Sequence, residues 1–321
     1  MQGNRTRRTA NSQTAIAAAV FLGLVLTITP CRVLAGIDDI LQAVRESEFR
    51  FARVTSKVPF IPLGWGVYQN YPGTEFKNDT GSLPSAVVEE NTISFGGIMP
   101  VYVTKRNMLL LGGDIAWDYI NVQSGPYNDQ HIVRLTPVAA WMNQFDYDET
   151  IGAFVAPILS KDLAADQPLS VNGYAGVIGM HWSSDTLQWV YGGVYQYNFG
   201  ESALYPYLGA QWLPTPRLSL SLLIPWPTIA YSPADRWLLQ LGIAPGGSTW
   251  VKHGDGFEST QSFGSWNLYA GTAYQLQGPY WLFAGVGVTG NRGLTSTWGG
   301  VENRFEAQSS PVYILALQLR P

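Results

Sequence analysis

The stretch Leu187-Gln188-Trp189-Val190-Tyr191-Gly192-Gly193-Val194-Tyr195-Gln196-Tyr197-Asn198-Phe199 alternates two kinds of side chain. Leu187, Trp189, Tyr191, Gly193, Tyr195, Tyr197 and Phe199 share one parity; Gln188, Val190, Gly192, Val194, Gln196 and Asn198 share the other. Successive side chains of a strand point to opposite faces, so the segment predicts a strand with one aromatic face and one face of small and amide residues. The same pattern recurs along most of the chain, with almost no long helical segment to cover the greasy faces. Lipid is the solvent that accepts a whole molecule of such strands, provided that they close into a barrel.

Composition agrees. Aromatic and charged residues each make up 13% of the 321 residues, about half the charge usual in a soluble domain. Mean hydropathy is only +0.01, which excludes a helical membrane protein and suits strands that hide apolar residues in alternation. Residues 1–35 read as a secretory signal: Arg5, Arg7 and Arg8, then an apolar run from Ala15 to Ile28, then Val33 and Ala35 before a cut ahead of Gly36. The single cysteine, Cys31, falls inside that signal, so the exported chain has no disulfide, thiolate or Cys-based metal site. Residues 1–35 hold four arginines and no acid. The remainder therefore carries 15 Lys and Arg against 23 Asp and Glu, a net charge of −8 that argues against nucleic acid as a partner.

The next segment, residues 36–60, is an N-terminal arm with a weak helical rhythm (Ile37, Ile40, Leu41, Val44, Phe51), a short helix or, alternatively, a plug. Residues 61–321 form the barrel. Residues 59–90 are rich in Pro, Gly and Asn and read as a connector or as a first strand plus a loop. Twelve strands are then expected, with ten to fourteen allowed: near 92–103, 108–122, 131–143, 150–160, 172–183, 187–199, 203–213, 217–231, 236–252, 263–277, 279–290 and 311–320, while 297–306 is a candidate for one more. Short links at 184–186 and 277–279 look like hairpin turns, and polar stretches at 123–130, 161–171 and 253–262 look like loops on the opposite rim. Six prolines between Pro214 and Pro245 make 213–247 the least regular part. Trp117, Tyr119, Trp141, Trp182, Trp189, Tyr197, Trp266 and Trp281 fall near strand ends, as interfacial girdles do.

Charge on the lipid face of a membrane strand is costly, so strand parity assigns lumen residues. Asp114 and Asp118 lie opposite Leu109, Leu111, Ile115, Trp117 and Tyr119. Arg134 lies opposite Val133, Leu135 and Trp141, and Gln188, Gln196 and Asn198 lie opposite the aromatic face quoted above. These six are the candidate lumen-lining residues. The final strand alternates Tyr313, Leu315, Leu317 and Leu319 with Ile314, Ala316, Gln318 and Arg320, and it resembles the tail read by the barrel assembly machinery. That tail lacks the usual terminal aromatic and ends instead in Arg320-Pro321.

Pro62-Leu63-Gly64-Trp65-Gly66-Val67-Tyr68, continuing through the strand pair 92–122, resembles a family of Gram-negative porin-like outer-membrane β-barrels of uncharacterised function. Gly209-Ala210-Gln211-Trp212 followed by Arg217-Leu218-Ser219-Leu220 is similar to a hairpin frequent in such barrels. The resemblance implies an outer-membrane barrel without assigned chemistry and carries no functional residues over.

One local pattern points to catalysis. His181 and Ser183 share a face, expected to be the inward one because Ile178, Met180 and Trp182 occupy what reads as the other. Outer-membrane phospholipases and lipid A deacylases use a His-x-Ser pair in which imidazole activates the hydroxyl. Those enzymes follow the serine with asparagine, where this chain has Ser184 and Asp185, and they face the pair outward. His131, His181 and His253 show no metal-ligand spacing. Asp146, Asp148 and Glu149 read as a solvated turn rather than a calcium loop, and the Gly-Gly pairs at 96–97, 112–113, 192–193 and 246–247 read as close packing rather than phosphate loops. No catalytic, cofactor or metal residue is assigned. The expectation is thus an all-β, antiparallel up-and-down transmembrane barrel of about twelve strands in the outer membrane. It is a porin-like passive channel or structural barrel, partnered by membrane lipid, the assembly machinery and small solutes. The alternatives are a lipid hydrolase using His181 and Ser183, and an exported soluble β-sandwich that binds glycans.

Overall fold

The computed structural model describes residues 42, 47, 49 and 56–321, apart from 80, 82, 126–127, 164–166, 199–200, 225, 255–256, 299–300 and 321. The expected signal segment and most of the arm lie outside the described residues. The strands run β1 (Gly64–Asn78), β2 (Ala86–Val103), β3 (Asn107–Ser124), β4 (Gln130–Gln144), β5 (Glu149–Asp162), β6 (Ser170–Trp182), β7 (Leu187–Asn198) and β8 (Glu201–Thr215). They continue as β9 (Leu218–Ile224), β10 (Thr228–Ala234), β11 (Trp237–Gly254), β12 (Phe257–Gln277), β13 (Tyr280–Trp298), β14 (Val301–Ala307) and β15 (Pro311–Leu319). Every strand pairs antiparallel with its sequence neighbour except at the closure. There β1 pairs with β15 from Gly64↔Leu319 to Asn70↔Tyr313, and with β14 from Phe76↔Ala307 to Asn78↔Phe305. Since β14 and β15 also both pair with β13, they are two halves of one stave interrupted at 308–310. The result is a closed barrel of 14 staves, lying wholly within residues 48–321.

The count corrects the expected twelve, and the reasons are local. Residues 59–90 contain β1, whose turn-forming composition masks its alternation. The segment 217–231 is two staves, β9 and β10, separated at 225–227, where Pro225 and Pro227 offer no ladder donor. Residues 297–306 supply no additional stave: 297–298 end β13, and β14, from Val301, is the outer half of the last one. Residues 253–262 are not a loop either: β11 and β12 stay paired out to Gly254↔Phe257. Within this stretch Gln261 Nε2 donates to Ser296 Oγ at 2.7 Å. A sandwich of two sheets is not what the chain forms.

The connections at 104–106, 145–148, 183–186, 216–217, 235–236 and 278–279 share one end with Gly64 and Leu319 and none exceeds four residues, whereas the three longest connections, 79–85, 125–129 and 163–169, all lie at the other. Short turns mark the periplasmic end of a bacterial barrel and longer loops the external end. Gly278, at φ 53° in the turn between β12 and β13, holds a left-handed position that a side chain would strain. A second glycine requirement is interstrand contact. Gly97 pairs with Gly113 and Ile98 with Gly112, and a Cβ on Gly112 would sit 2.2 Å from Gly97 O. Gly112→Val should therefore block β2–β3 pairing, and the variant should lose the folded band on unheated gel electrophoresis.

Outward positions are apolar along the whole wall: Leu111, Val155, Val177, Tyr195, Leu208, Leu268 and Val286 are all exposed. No soluble barrel leaves such a belt in water, and lipid is what covers it. Trp237 and Tyr274 sit on this surface at the periplasmic end, ring centroids 4.9 Å apart. Trp182 and Trp281, expected in a girdle, instead point inward and are buried.

The seam of the barrel carries a defect. Inward parity switches from Val67 and Tyr71 to Phe76 and Asn78 on β1. It switches from Trp281, Phe283 and Thr289 to Arg292 on β13, and from Phe305 to Val312 and Ala316 across the β14/β15 break. Register shifts between Tyr71 and Thr74 on β1, and between Gly264 and Trp266 opposite β13, mark the extra residues. Three neighbouring staves thus bulge at one height. A bulge re-aims the side chains beside it.

Candidate functional site: the barrel lumen

Three levels fill the lumen. At the periplasmic end, Leu238, Ala273, Trp281, Phe283 and Ala316 point inward and pack together, and Val58 from the segment before β1 completes the cluster. That segment is fastened by Lys57 N donating to Pro216 O (2.6 Å) and by Arg320 Nη1 donating to Phe60 O (2.9 Å). Apolar side chains therefore narrow this end.

The middle level is polar. Asp118 is buried on β3. Its Oδ1 accepts from Thr92 Oγ1 at 2.8 Å and its Oδ2 lies 3.8 Å from Arg134 Nη2. Arg134 reaches across the lumen from β4, with Nη1 donating to Gly247 O of β11 at 2.6 Å. Two further bonds strap β11 to the facing wall: Ser160 Oγ of β5 donates to Thr249 O (2.6 Å), and Val251 N donates to Ser170 Oγ of β6 (2.8 Å). The barrel is pinched here. Beside the straps a cavity of about 390 Å³ is lined by Gln69, Tyr71, Glu90, Thr92, Asp118, Arg134, Asn172, Tyr174 and Gln196 among others.

At the seam bulge, Arg292 is buried to 1% exposure. Its Nη2 donates to Glu90 Oε2 at 3.3 Å, and its Nη1 to Ser310 Oγ (3.2 Å) and Thr74 Oγ1 (3.3 Å). The guanidinium carbon lies 5.1–5.3 Å from the ring centroids of Tyr71, Phe76 and Phe263, within cation–π range. A buried cation without a carboxylate partner would be far more costly. Glu90 answers that need.

Above the seam the lumen turns apolar. Phe76, Ala86, Val88, Ile120, Ile132, Trp250, Phe263 and Phe305 form a buried cluster around a cavity of about 300 Å³. Phe263 borders both cavities, so the apolar cup sits directly on the polar chamber.

The six parity-derived residues fall as follows. Asp118, Arg134 and Gln196 meet around the polar chamber. Asp114 lies on the same face of β3 nearer the periplasmic end, accepting from Trp65 Nε1 at 3.2 Å. Gln188 is buried at the periplasmic end of β7, away from the chamber. The side chain of Asn198 lies outside the described residues. Sequence reasoning missed Glu90, Arg292, Tyr71 and the apolar cup. Glu90 stood just before the first regular segment and Arg292 just after the end expected for its strand. Had those strands been extended, the cost of charge in a membrane wall would have turned both inward.

The His181 expectation reverses. Trp182 is the inward, buried residue, and His181 lies on the outer surface, its Nδ1 2.6 Å from Glu149 Oε1, with Tyr191 OH donating to Glu149 Oε2 at 3.4 Å. Ser183 Oγ donates to Leu187 O at 3.4 Å. The imidazole is thus paired with a carboxylate, and the Ser183 hydroxyl with a backbone oxygen.

No protein-family model matches the chain, and no curated protein does. Similar solved structures include the TodX monoaromatic hydrocarbon channel as a deltaS2 mutant, at TM-score 0.40 and 9% identity, over 81% of this chain and 91% of that one. The translocator domain of the autotransporter NalP from Neisseria meningitidis gives TM-score 0.36 and 8% identity over 94% and 97%. A Pseudomonas aeruginosa FadL homologue gives 0.31 and 12% over 80% and 88%. At these values the likeness carries no weight for function. The chain's own pairing and surface decide what it is: a closed antiparallel sheet with an apolar exterior and a polar-centred lumen, an outer-membrane β-barrel.

Proposed function

We propose that this barrel is a narrow conduit for small solutes across the outer membrane, and not an open general porin. The observation that carries the reading is the lumen itself. Straps from β4, β5 and β6 to β11 leave no wide bore, yet two contiguous cavities of about 300 and 390 Å³ remain, one apolar and one polar. Asp114, Asp118, Arg134, Gln188, Gln196 and Asn198 are the proposed polar path residues, with Glu90 and Tyr71 added around the chamber. No catalytic step is assigned to any of them. The sheet edge is closed, so outer-membrane lipid and the assembly machinery are the partners the reading requires.

Single-channel recording of the refolded protein tests it. The wild type should give small steps, well below those of a porin with an unobstructed bore. Asp118→Asn, together with Asp114→Asn, should reduce preference for cations by several-fold in reversal-potential measurements, because fixed charge in a narrow lumen selects ions. Large unselective steps from the wild type, or unchanged selectivity in the double variant, would remove these residues from the path.

A further inference from the structure

We propose that an acyl chain of an external-leaflet lipid docks in a notch of the barrel wall, between the outer halves of β8 and β11. The inference goes beyond the solute reading and does not depend on it. It starts from strand length. A transmembrane β-strand needs about 9–11 residues, whereas β9 and β10 have 7 each. Their hairpin rises from the periplasmic turn at 216–217. Its top pairs Ile224 with Leu208 on one side and Thr228 with Gly242 on the other. Above that level β8 retains 203–207 and β11 retains 243–254, and among the described residues no strand pairs with either on the facing side.

The hairpin top lies inside the lipid belt. Above it the outward pair Tyr195 and Leu204 is still exposed, Leu204 to 73%. Hydrocarbon therefore reaches the notch, and a sheet edge is tolerated there only where its polar groups are satisfied. On β11 they are satisfied from inside. Ile243 N donates to Pro227 O at the hairpin top (3.1 Å). Alternate residues of a strand direct their backbone groups to the same side, so Gly247, Thr249 and Val251 present theirs on that same edge. Arg134, Ser160 and Ser170 engage them. The straps thus complete an edge that lacks a neighbouring strand and turn it towards β4, β5 and β6. On β8 the edge carries Pro206, which has no backbone donor to leave unsatisfied.

The inner face of β8 shows what the notch admits. Tyr205 lies directly opposite Val194, so both point inward. Val194 is buried, yet Tyr205 is 51% exposed and borders neither of the two cavities. The inward Tyr207 packs its ring against Trp226 at the hairpin top, centroids 5.8 Å apart. Ala203-Leu204-Tyr205-Pro206-Tyr207 contains no charge. A flexible apolar chain entering from the side removes these rings from water, and burial of apolar surface is what stabilises it there.

The experiment uses single cysteines, since Cys31, in the expected signal, is the only native one. Tyr205→Cys, the outward Leu204→Cys and the inward Gln69→Cys are each labelled with bimane. Gln69 is the control because β1 is paired on both sides there, with Thr92 and Ile314, so a full wall separates it from lipid. The proteins are reconstituted in phosphatidylcholine vesicles with plain or brominated acyl chains. Brominated chains should quench the label at 205 several-fold more than at 69 and nearly as much as at 204. Aqueous iodide should quench it no more than at 204. If Tyr205→Cys fails to refold, Ala203→Cys places the label on the same inner face. Bromine quenching no greater than at 69 would mean that the notch is shut to lipid. Iodide quenching well above that at 204 would mean that water fills it. Either result overturns the proposal, and neither bears on conductance.

Discussion

Arg292→Leu should destabilise the folded barrel by about 3–5 kcal/mol, because it leaves Glu90 charged and unpaired in the wall interior. Both side chains are almost fully buried. The guanidinium also joins β13 to Thr74 on β1 and to Ser310 in the break of the last stave, at the height where three staves change parity. One group therefore ties together the seam that closes the sheet. Urea unfolding in micelles, followed by tryptophan fluorescence, should show the midpoint falling well below that of the wild type. The double variant Glu90→Gln with Arg292→Leu should recover part of the loss, since removing both charges abolishes the unpaired carboxylate. A single variant as stable as the wild type would mean that the pair contributes nothing to closure.

Val58→Asp should raise the single-channel conductance several-fold. Val58 is 4% exposed among Leu238, Ala273, Trp281, Phe283 and Ala316. An aspartate cannot keep its charge there without several kcal/mol of desolvation penalty. The backbone bond from Lys57 N to Pro216 O and the side-chain bond from Arg320 Nη1 to Phe60 O hold its segment against that penalty and should yield to it. The segment then leaves the periplasmic mouth while the closed wall, which does not depend on it for pairing, stays intact. Unaltered conductance in a folded variant would place the narrowest point elsewhere, at the β11 straps.

How much of this was legible in the sequence differs from element to element. β3, β4 and β7 were readable because each sustains strict alternation over a dozen residues or more, with charge or amide on one parity and aromatics on the other. Asp118, Arg134 and Gln196, which border the polar chamber, stand on strands whose faces the chain itself distinguishes. His181 was misread because both of its faces carry large side chains: Met180 and Trp182 are as apolar as any lipid-facing pair, and only the packing inside the periplasmic end shows that Trp182 turns inward. Trp281 misled for the same reason. An apolar residue fits both lipid and a dry lumen, so hydrophobicity alone cannot choose between them.

The bulged seam was beyond reach of parity. One extra residue on each of three staves exchanges inward and outward beyond it, so Arg292 and Phe76 face the lumen in segments whose lower halves use the other parity. Alternation by itself determined that this chain forms a closed membrane sheet, because a strand with an oily face and charged opposite positions has lipid outside and a shielded interior as its only stable surroundings. Which side chains meet within that interior was decided only by the tertiary structure. The apolar cup, the polar chamber and the apolar periplasmic cluster draw on residues as far apart in the chain as Val58, Arg134, Trp250 and Phe305, and their proximity depends on register, bulges and closure, which are properties of the assembled sheet and of no single strand.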